Sequence, residues 1–209
     1  MNFNMTLLEW LENHHNKITF DKVSWMGVPF HKNVLDAWIY QELIFKIKPD
    51  VIVEIGSENG GSTIYFAHLL DCIGKGMVIS VDIDRKAYKA KHDRITTITG
   101  HSSAEWVIEE VHRHCKDKIV LINQDGGHSE DQVFRDLTNY SDLVSIGSYF
   151  IVEDSLLDLC NEPLRAGISK GPLMAINKFL ETNHNFTIDL ECERYILTAN
   201  PSGYLKRIR

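Results

Sequence analysis

The stretch Val51-Ile52-Val53-Glu54-Ile55-Gly56-Ser57-Glu58-Asn59-Gly60-Gly61-Ser62 sets a short β-branched run against a glycine-rich turn, and residues 62–70 beyond it carry a helical pattern. The run is nearly all apolar instead of alternating, as expected of a strand covered on both faces. Working outward, the strand signal recurs at residues 77–81, 95–99, 119–122 and 148–152, with helical segments interleaved. Two of these helices open on apparent capping boxes, Ser102-Ser103-Ala104-Glu105 and Ser129-Glu130-Asp131-Gln132. Strands alternating with helices predict a doubly wound α/β fold around a mostly parallel sheet.

Upstream of the first strand, Leu35, Ile39, Leu43 and Ile47 recur every four positions behind Asn33, a suitable N-cap, and Pro49 ends this helix. Residues 1–32 hold a short amphipathic helix from Leu7 and then a Trp25-Met26-Gly27-Val28-Pro29-Phe30 loop, read as an N-terminal cap on a main domain spanning 33–209. Whether that loop is a lid or only packs the N-terminus stays open. Downstream, a helix is expected from Pro172 to about residue 180, and strands at 186–190 and 195–198 near a Pro201-Ser202-Gly203 turn should form an antiparallel pair at the sheet edge.

Composition narrows the function. The 22 basic and 29 acidic residues leave a net charge of −7, which argues against a dedicated binder of nucleic acid or of anionic membranes. No apolar run exceeds four residues, far short of the roughly 20 that span a bilayer. The N-terminus lacks the basic start of a secretory signal, and Cys72, Cys115, Cys160 and Cys192 form no Cys-x-x-Cys pair. A cytoplasmic protein with reduced thiols is expected.

In an open parallel sheet, ligands bind beyond the carboxyl ends of the strands, where the strand order reverses. Those positions are rich in glycine and acid here. The spacing from Gly56 to Gly60 and Gly61 is not Gly-x-Gly-x-x-Gly, so a pyrophosphate-cradling dinucleotide site is disfavoured and a cofactor with an amino-acid moiety suits the loop better. Asp82, or Asp84 if the strand runs longer, is placed to accept both hydroxyls of a ribose. Asp125 follows the fourth strand, and Glu153 with Asp154 follows the fifth, so three carboxylates should converge on one edge of the cleft. Like charges so placed call for a cation, and hard oxygen ligands suit Mg²⁺ or a similar ion. His128, three residues beyond Asp125, stands where an imidazole can take a proton from a hydroxyl at neutral pH. The blander readings are a packing turn at the glycines, capping roles for the acids and a supporting role for His128. His112 and His114 face different ways on a helix and do not suggest a zinc site.

The residues Trp25-Met26-Gly27 with Lys32, Tyr40-Gln41-Glu42, Lys48-Pro49-Asp50 leading into the first strand, Glu54-Ile55-Gly56-Ser57 with Gly60-Gly61-Ser62, Val81-Asp82-Ile83-Asp84, Gly147 to Asp154, and Asn200-Pro201-Ser202-Gly203-Tyr204-Leu205-Lys206-Arg207 together resemble a known group. The chain is similar to the S-adenosylmethionine-dependent O-methyltransferases named after cephalosporin hydroxylase, which include macrolide-sugar and rhamnosyl enzymes. The resemblance implies a seven-stranded class I methyltransferase fold with antiparallel C-terminal edge strands. It implies cofactor contacts from Glu54, Gly56, Ser57, Gly60, Ser62, Asp82 and Asp125, with Ser102 or Ser103 near the adenine. It also implies a Mg²⁺ site made by Asp125, Glu153 and Asp154, a general base at His128, and homo-oligomeric assembly. Where macrolide-sugar members carry acid-acid-Gly-Ser-His, this chain has Gln124-Asp125-Gly126-Gly127-His128. The word hydroxylase is not taken literally, since no two-His-one-carboxylate iron triad is evident.

The expected activity is therefore Mg²⁺-dependent O-methylation of a hydroxyl on a small molecule or glycan. Gln124 and Gly127 keep open a non-catalytic cofactor binder of the same fold. A nicotinamide-dependent oxidoreductase is the remaining alternative, already disfavoured by the glycine spacing.

Overall fold

A computed structural model describes residues 4–160 and 171–209 of the chain. Residues 161–170, within the 155–171 segment expected to shape the acceptor pocket, lie outside the described residues. Helix α1 (Leu7–His14) opens on a reciprocal capping box between Thr6 and Glu9, and a π-helical turn (His15–Thr19) with a single turn α2 (Phe20–Lys22) follows. The loop expected at residues 25–30 is instead a small antiparallel hairpin, β1 (Ser24–Trp25) with β2 (Val28–Pro29). Its turn works because Met26 and Gly27 both take positive φ.

Helix α3 (Val34–Ile47) starts at Asn33, whose side chain accepts the Leu35 N–H, and ends at Lys48 in the left-handed region just before Pro49. Then come β3 (Val51–Ile55), α4 (Gly61–Ile73), β4 (Met77–Asp82), β5 (Ile95–Thr99), α5 (Glu105–Cys115), β6 (Val120–Gln124), α6 (Glu130–Tyr140) and β7 (Tyr149–Val152). Helix α7 (Pro172–Thr182) leads to β8 (Phe186–Ile188) and finally β9 (Tyr204–Arg207). The seven-stranded sheet has the order β5-β4-β3-β6-β7-β9-β8, with only β9 reversed against its neighbours.

Alternation along β3 divides the core into two layers. Val51, Val53 and Ile55 pack into the layer that takes residues of α5, α6 and α7, whereas Ile52 packs with α3 and α4. Burial of these β-branched side chains on both faces explains why the strand reads as a continuous apolar run. The order reverses between β3 and β6, which lie side by side in register from Val51 opposite Val120 to Ile55 opposite Gln124. The crevice beyond Ile55 and Gln124 is thus the expected ligand position.

Three local expectations need correction. Helix α5 is N-capped by Ala104 without a side-chain hydrogen bond, because the Ser102 hydroxyl donates to buried Asp136 at 2.7 Å. Residues 195–198 are not a strand: a 3₁₀ turn (Leu190–Glu193) precedes them, and Asp36 of α3 takes the Thr198 hydroxyl at 2.6 Å. The antiparallel partner of β8 is β9, beyond the Pro201-Ser202-Gly203 turn. Among the described residues no helix is long and apolar enough to cross a membrane.

Candidate active site

The crevice opens into a cleft of about 600 Å³. Its floor is a close backbone contact at the strand reversal. Gly56 adopts φ +84°, and a Cβ there would lie 2.2 Å from the Asp125 carbonyl oxygen, so only glycine lets the first turn pass the fourth strand's end. The Asp125 N–H donates to the Ile55 carbonyl at 2.7 Å, which fixes Asp125 relative to the glycine loop.

At one end, Asp82 shapes that loop. Its Oδ2 accepts from the Ser57 and Glu58 N–H groups, both at 2.8 Å, and its Oδ1 accepts from the Asp84 N–H at 3.0 Å. Burial works to raise the Asp82 carboxyl, but the N–H groups of Asp84, Ser57 and Glu58, with Arg85 nearby, hold it below its ordinary value. One lone pair of Oδ1 remains free of protein donors, in reach of a ligand hydroxyl. Asp82 lines the cleft and Asp84 does not. Arg85, not foreseen, stiffens the loop from behind: Nη1 donates to the Ser57 and Ser80 hydroxyls at 2.6 and 3.0 Å.

Of the other residues expected at the cofactor, Gly56, Ser57, Ser62, Ser102 and Asp125 line the cleft. Glu54, Gly60 and Ser103 do not. Glu54 is fully buried on the α4 side, where it accepts the Thr63 hydroxyl and where burial raises its carboxyl. Gln132, read from sequence only as a capping residue, reaches the cleft wall and donates to Ser102, Ser103 and Asp136 at 2.9, 3.2 and 3.0 Å. Ser129 still caps α6 by accepting the Gln132 N–H, so the box is half formed. Gln124, where macrolide-sugar members carry an acid, uses its amide to hold the turn, donating to the Gly127 carbonyl at 3.3 Å.

At the other end, Asp125, His128 and Asp154 each offer a ligand atom, all within 4.8 Å of one another. His128 Nε2 lies 3.7 Å from Asp154 Oδ2, and its Nδ1 is buried without a hydrogen-bond partner among the described residues. Asp154 takes a left-handed conformation, φ 59°, held by Asn200, whose Oδ1 accepts the Asp154 N–H at 3.0 Å. Asn200 in turn donates to the Tyr40 hydroxyl at 2.7 Å. The carboxylates of Asp125 and Asp154 offer hard oxygens that fit Mg²⁺ or a similar divalent ion, with the His128 imidazole beside them.

Glu153 is not one of that trio. Its Oε1 accepts from Lys32 Nζ and from Asn123 Nδ2, both at 2.6 Å, and Lys32 also donates to Asp125 Oδ2 at 2.7 Å. Burial disfavours the Lys32 ammonium, but Asp125, Glu153 and Glu54 overcome that and raise it above its ordinary value. Burial likewise pushes the Asp125 carboxyl up, with Lys32 opposing. The N-terminal segment walls this end: Phe20, Pro29 and His31 line the cleft, and His31 Nδ1 pairs with Glu58 Oε2 at 2.7 Å. Its hairpin rests on the start of α4, where a Cβ on Gly61 would lie 2.0 Å from the Pro29 carbonyl oxygen.

Known proteins resemble the chain over nearly its whole length. The family described as Rhamnosyl O-methyltransferase/CmcI matches residues 17–208. A rhamnosyl O-methyltransferase of Mycobacterium leprae is 32% identical over 177 residues, covering 82% of this chain and 76% of its own length. That of Mycobacterium tuberculosis is 29% identical over 207 residues, covering 95% and 84%. Among solved structures, CmcI with Mg and SAM superposes with a TM-score of 0.70 at 21% identity, over 100% of this chain and 87% of that one. The MycE methyltransferase of the mycinamycin pathway, in complex with Mg, SAH and mycinamycin VI, gives 0.53 at 15% identity, over 85% of this chain and 46% of that one. The chain belongs to the rhamnosyl O-methyltransferase/CmcI family of O-methyltransferases.

Proposed function

We propose that the protein transfers the methyl group of S-adenosylmethionine to a hydroxyl of a sugar, on a small glycoside or a glycan, with the help of Mg²⁺ or a similar divalent cation. The observation that carries this is the meeting of Asp125, His128 and Asp154 at one end of a cleft whose other end is the Asp82-braced glycine loop. When bound, the cofactor supplies an electrophilic methyl and the cation supplies positive charge that favours a deprotonated hydroxyl.

The chain's own residues do the rest. Asp82 accepts the ribose hydroxyls, the Gly56–Ser57 turn lets the backbone approach the cofactor, and Ser102 with Gln132 borders the adenine end. Asp125 and Asp154 hold the cation, with Glu153 behind them. His128 Nε2 accepts the acceptor's proton, and Asp154 steadies the resulting imidazolium before the proton passes to solvent. Alignment of oxygen and methyl within one cleft supplies much of the rate. Residues 1–32 act as a cap on the acceptor side. Its wall combines the Phe20 ring, which suits the apolar face of a sugar, with Glu58 and Asp154, which disfavour phosphorylated acceptors.

We extend the proposal to a homo-oligomer, on the ground that Val34, Trp38 and Phe45 form one exposed apolar stripe of α3. A reducing, cytoplasmic location fits four cysteines that are not joined in disulfides, three of them buried. The deciding experiment is calorimetric titration with S-adenosylhomocysteine, with Mg²⁺ and with a chelator, followed by turnover on rhamnosides and macrolide sugars. Binding together with Mg²⁺-dependent methyl transfer is expected. Stabilisation by a nicotinamide dinucleotide instead, or cofactor binding without turnover on any hydroxyl acceptor, overturns the proposal.

A further inference from the structure

We propose that Lys32 and the divalent cation compete for Asp125: the ammonium holds Asp125 and Glu153 in the cation-free protein and gives up Asp125 when the ion binds. The inference rests on the cation site just proposed. The Lys32 side chain is 1% exposed, and its Nζ lies 2.7 Å from Asp125 Oδ2 and 2.6 Å from Glu153 Oε1. Asp125 belongs at the same time to the trio that offers ligand atoms to a metal. An ammonium and a divalent ion on one half-buried carboxylate repel each other with less screening than in open water, so each weakens the other's hold.

The surroundings are arranged for an exchange. Without a cation, the buried acids at this end would be uncompensated, and Lys32 balances them so that the fold does not depend on metal. Glu153 stays in place when the lysine leaves, because Asn123 Nδ2 also donates to its Oε1 at 2.6 Å. Lys32 lines the open cleft, which gives the released ammonium somewhere to turn. Lys32 is also flanked by His31, paired with Glu58, and by Asn33, the cap of α3. Exchange at Nζ therefore acts on the segment that walls the acceptor side.

The test is calorimetric titration of Mg²⁺ into the full chain, without acceptor, for wild type, Lys32→Met and Lys32→Arg. Lys32→Met is expected to bind Mg²⁺ about tenfold or more tightly than wild type, a difference of about 1.4 kcal/mol. Lys32→Arg, which keeps the charge, should stay at or below the wild-type affinity. Mg²⁺ binding by Lys32→Met no tighter than by wild type overturns the exchange and leaves the methyltransferase reading intact. Absence of Mg²⁺ binding in wild type and both variants overturns the exchange together with the cation's part in that reading.

A second measurement needs no Lys32→Met protein. In wild type labelled with ¹⁵N at lysine Nζ, the buried ammonium should give a protected resonance, assigned by its absence in Lys32→Arg. Addition of Mg²⁺ should shift it or expose it to solvent exchange. A signal unchanged at saturating Mg²⁺ overturns the proposal.

Discussion

The two ends of the cleft are built in different ways. At the glycine loop, the decisive contacts are backbone N–H groups meeting Asp82, with partners 25, 24 and 2 residues apart. At the acidic end they are side chains from distant segments, Lys32 to Glu153 across 121 residues and Asn200 to Asp154 across 46. The first end needs only the neighbouring ends of β3 and β4 in place. The second needs the N-terminal segment, β6, β7 and the turn before β9 all in place. A site that must only cradle a cofactor can rest on local turn chemistry, whereas one that must place an imidazole and several carboxylates needs the whole fold behind it.

Gly56, where the two ends touch, gives the strongest way to break both at once. Gly56→Ala puts a Cβ against the Asp125 carbonyl in a left-handed backbone, and about 3–4 kcal/mol of stability should be lost, with cofactor binding, by denaturant titration and calorimetry. Next is the network behind the acidic end. Asp36, which takes Thr198, Ala199 and Tyr204, has its carboxyl raised by burial from 3.8 to about 6 in spite of three donated hydrogen bonds. The unfolded carboxyl ionises first, so the folded state holds the extra proton between those values. Stability should therefore fall as pH rises from about 4 to 6 and level off above, by about 3 kcal/mol from this group. Asp36→Asn lacks that slope, so its stability deficit against wild type should shrink by the same amount over this window. An unchanging deficit in urea titrations across pH would contradict it.

Asp154→Ala separates the ends. Methyl transfer should drop at least about 100-fold while S-adenosylhomocysteine affinity stays within about threefold. A matching loss of affinity would mean that the two ends are one unit. The smallest effect is expected from Asp82→Asn, which exchanges a charged acceptor for a neutral one at the loop: about tenfold weaker cofactor binding by calorimetry, with the Mg²⁺ affinity unchanged.

The same division governs what the sequence discloses. The five parallel strands are legible because burial on both faces demands β-branched runs, and Gly56 and Asp82 because each stands directly at the end of such a run. Ser102 looked like a helix cap, yet the partner that claims its hydroxyl, Asp136, lies 34 residues on. Residues 195–198 have the composition of a strand, but Ile196 takes φ +66° and Thr198 is drawn to Asp36. Lys32 stood out as a matching residue without a role, since nothing near it in the chain states that Asp125 and Glu153 will close on it. Glu153 and Asp154 are adjacent in sequence and were read together, but the left-handed turn at Asp154 sends their carboxylates to different partners.

Asp36 also bears on how the protein is made. The ribosome delivers α3 early, but the hydroxyl that Tyr204 donates to Asp36 arrives 168 residues later, on the strand that also closes the open flank of β7. Until then α3 carries a carboxylate that cannot be buried without most of its partners, so the nascent chain has sheet and helices but no reason to commit to their final packing. Removing the few residues of β9 should therefore stall maturation far more than removing as many residues ahead of Thr6.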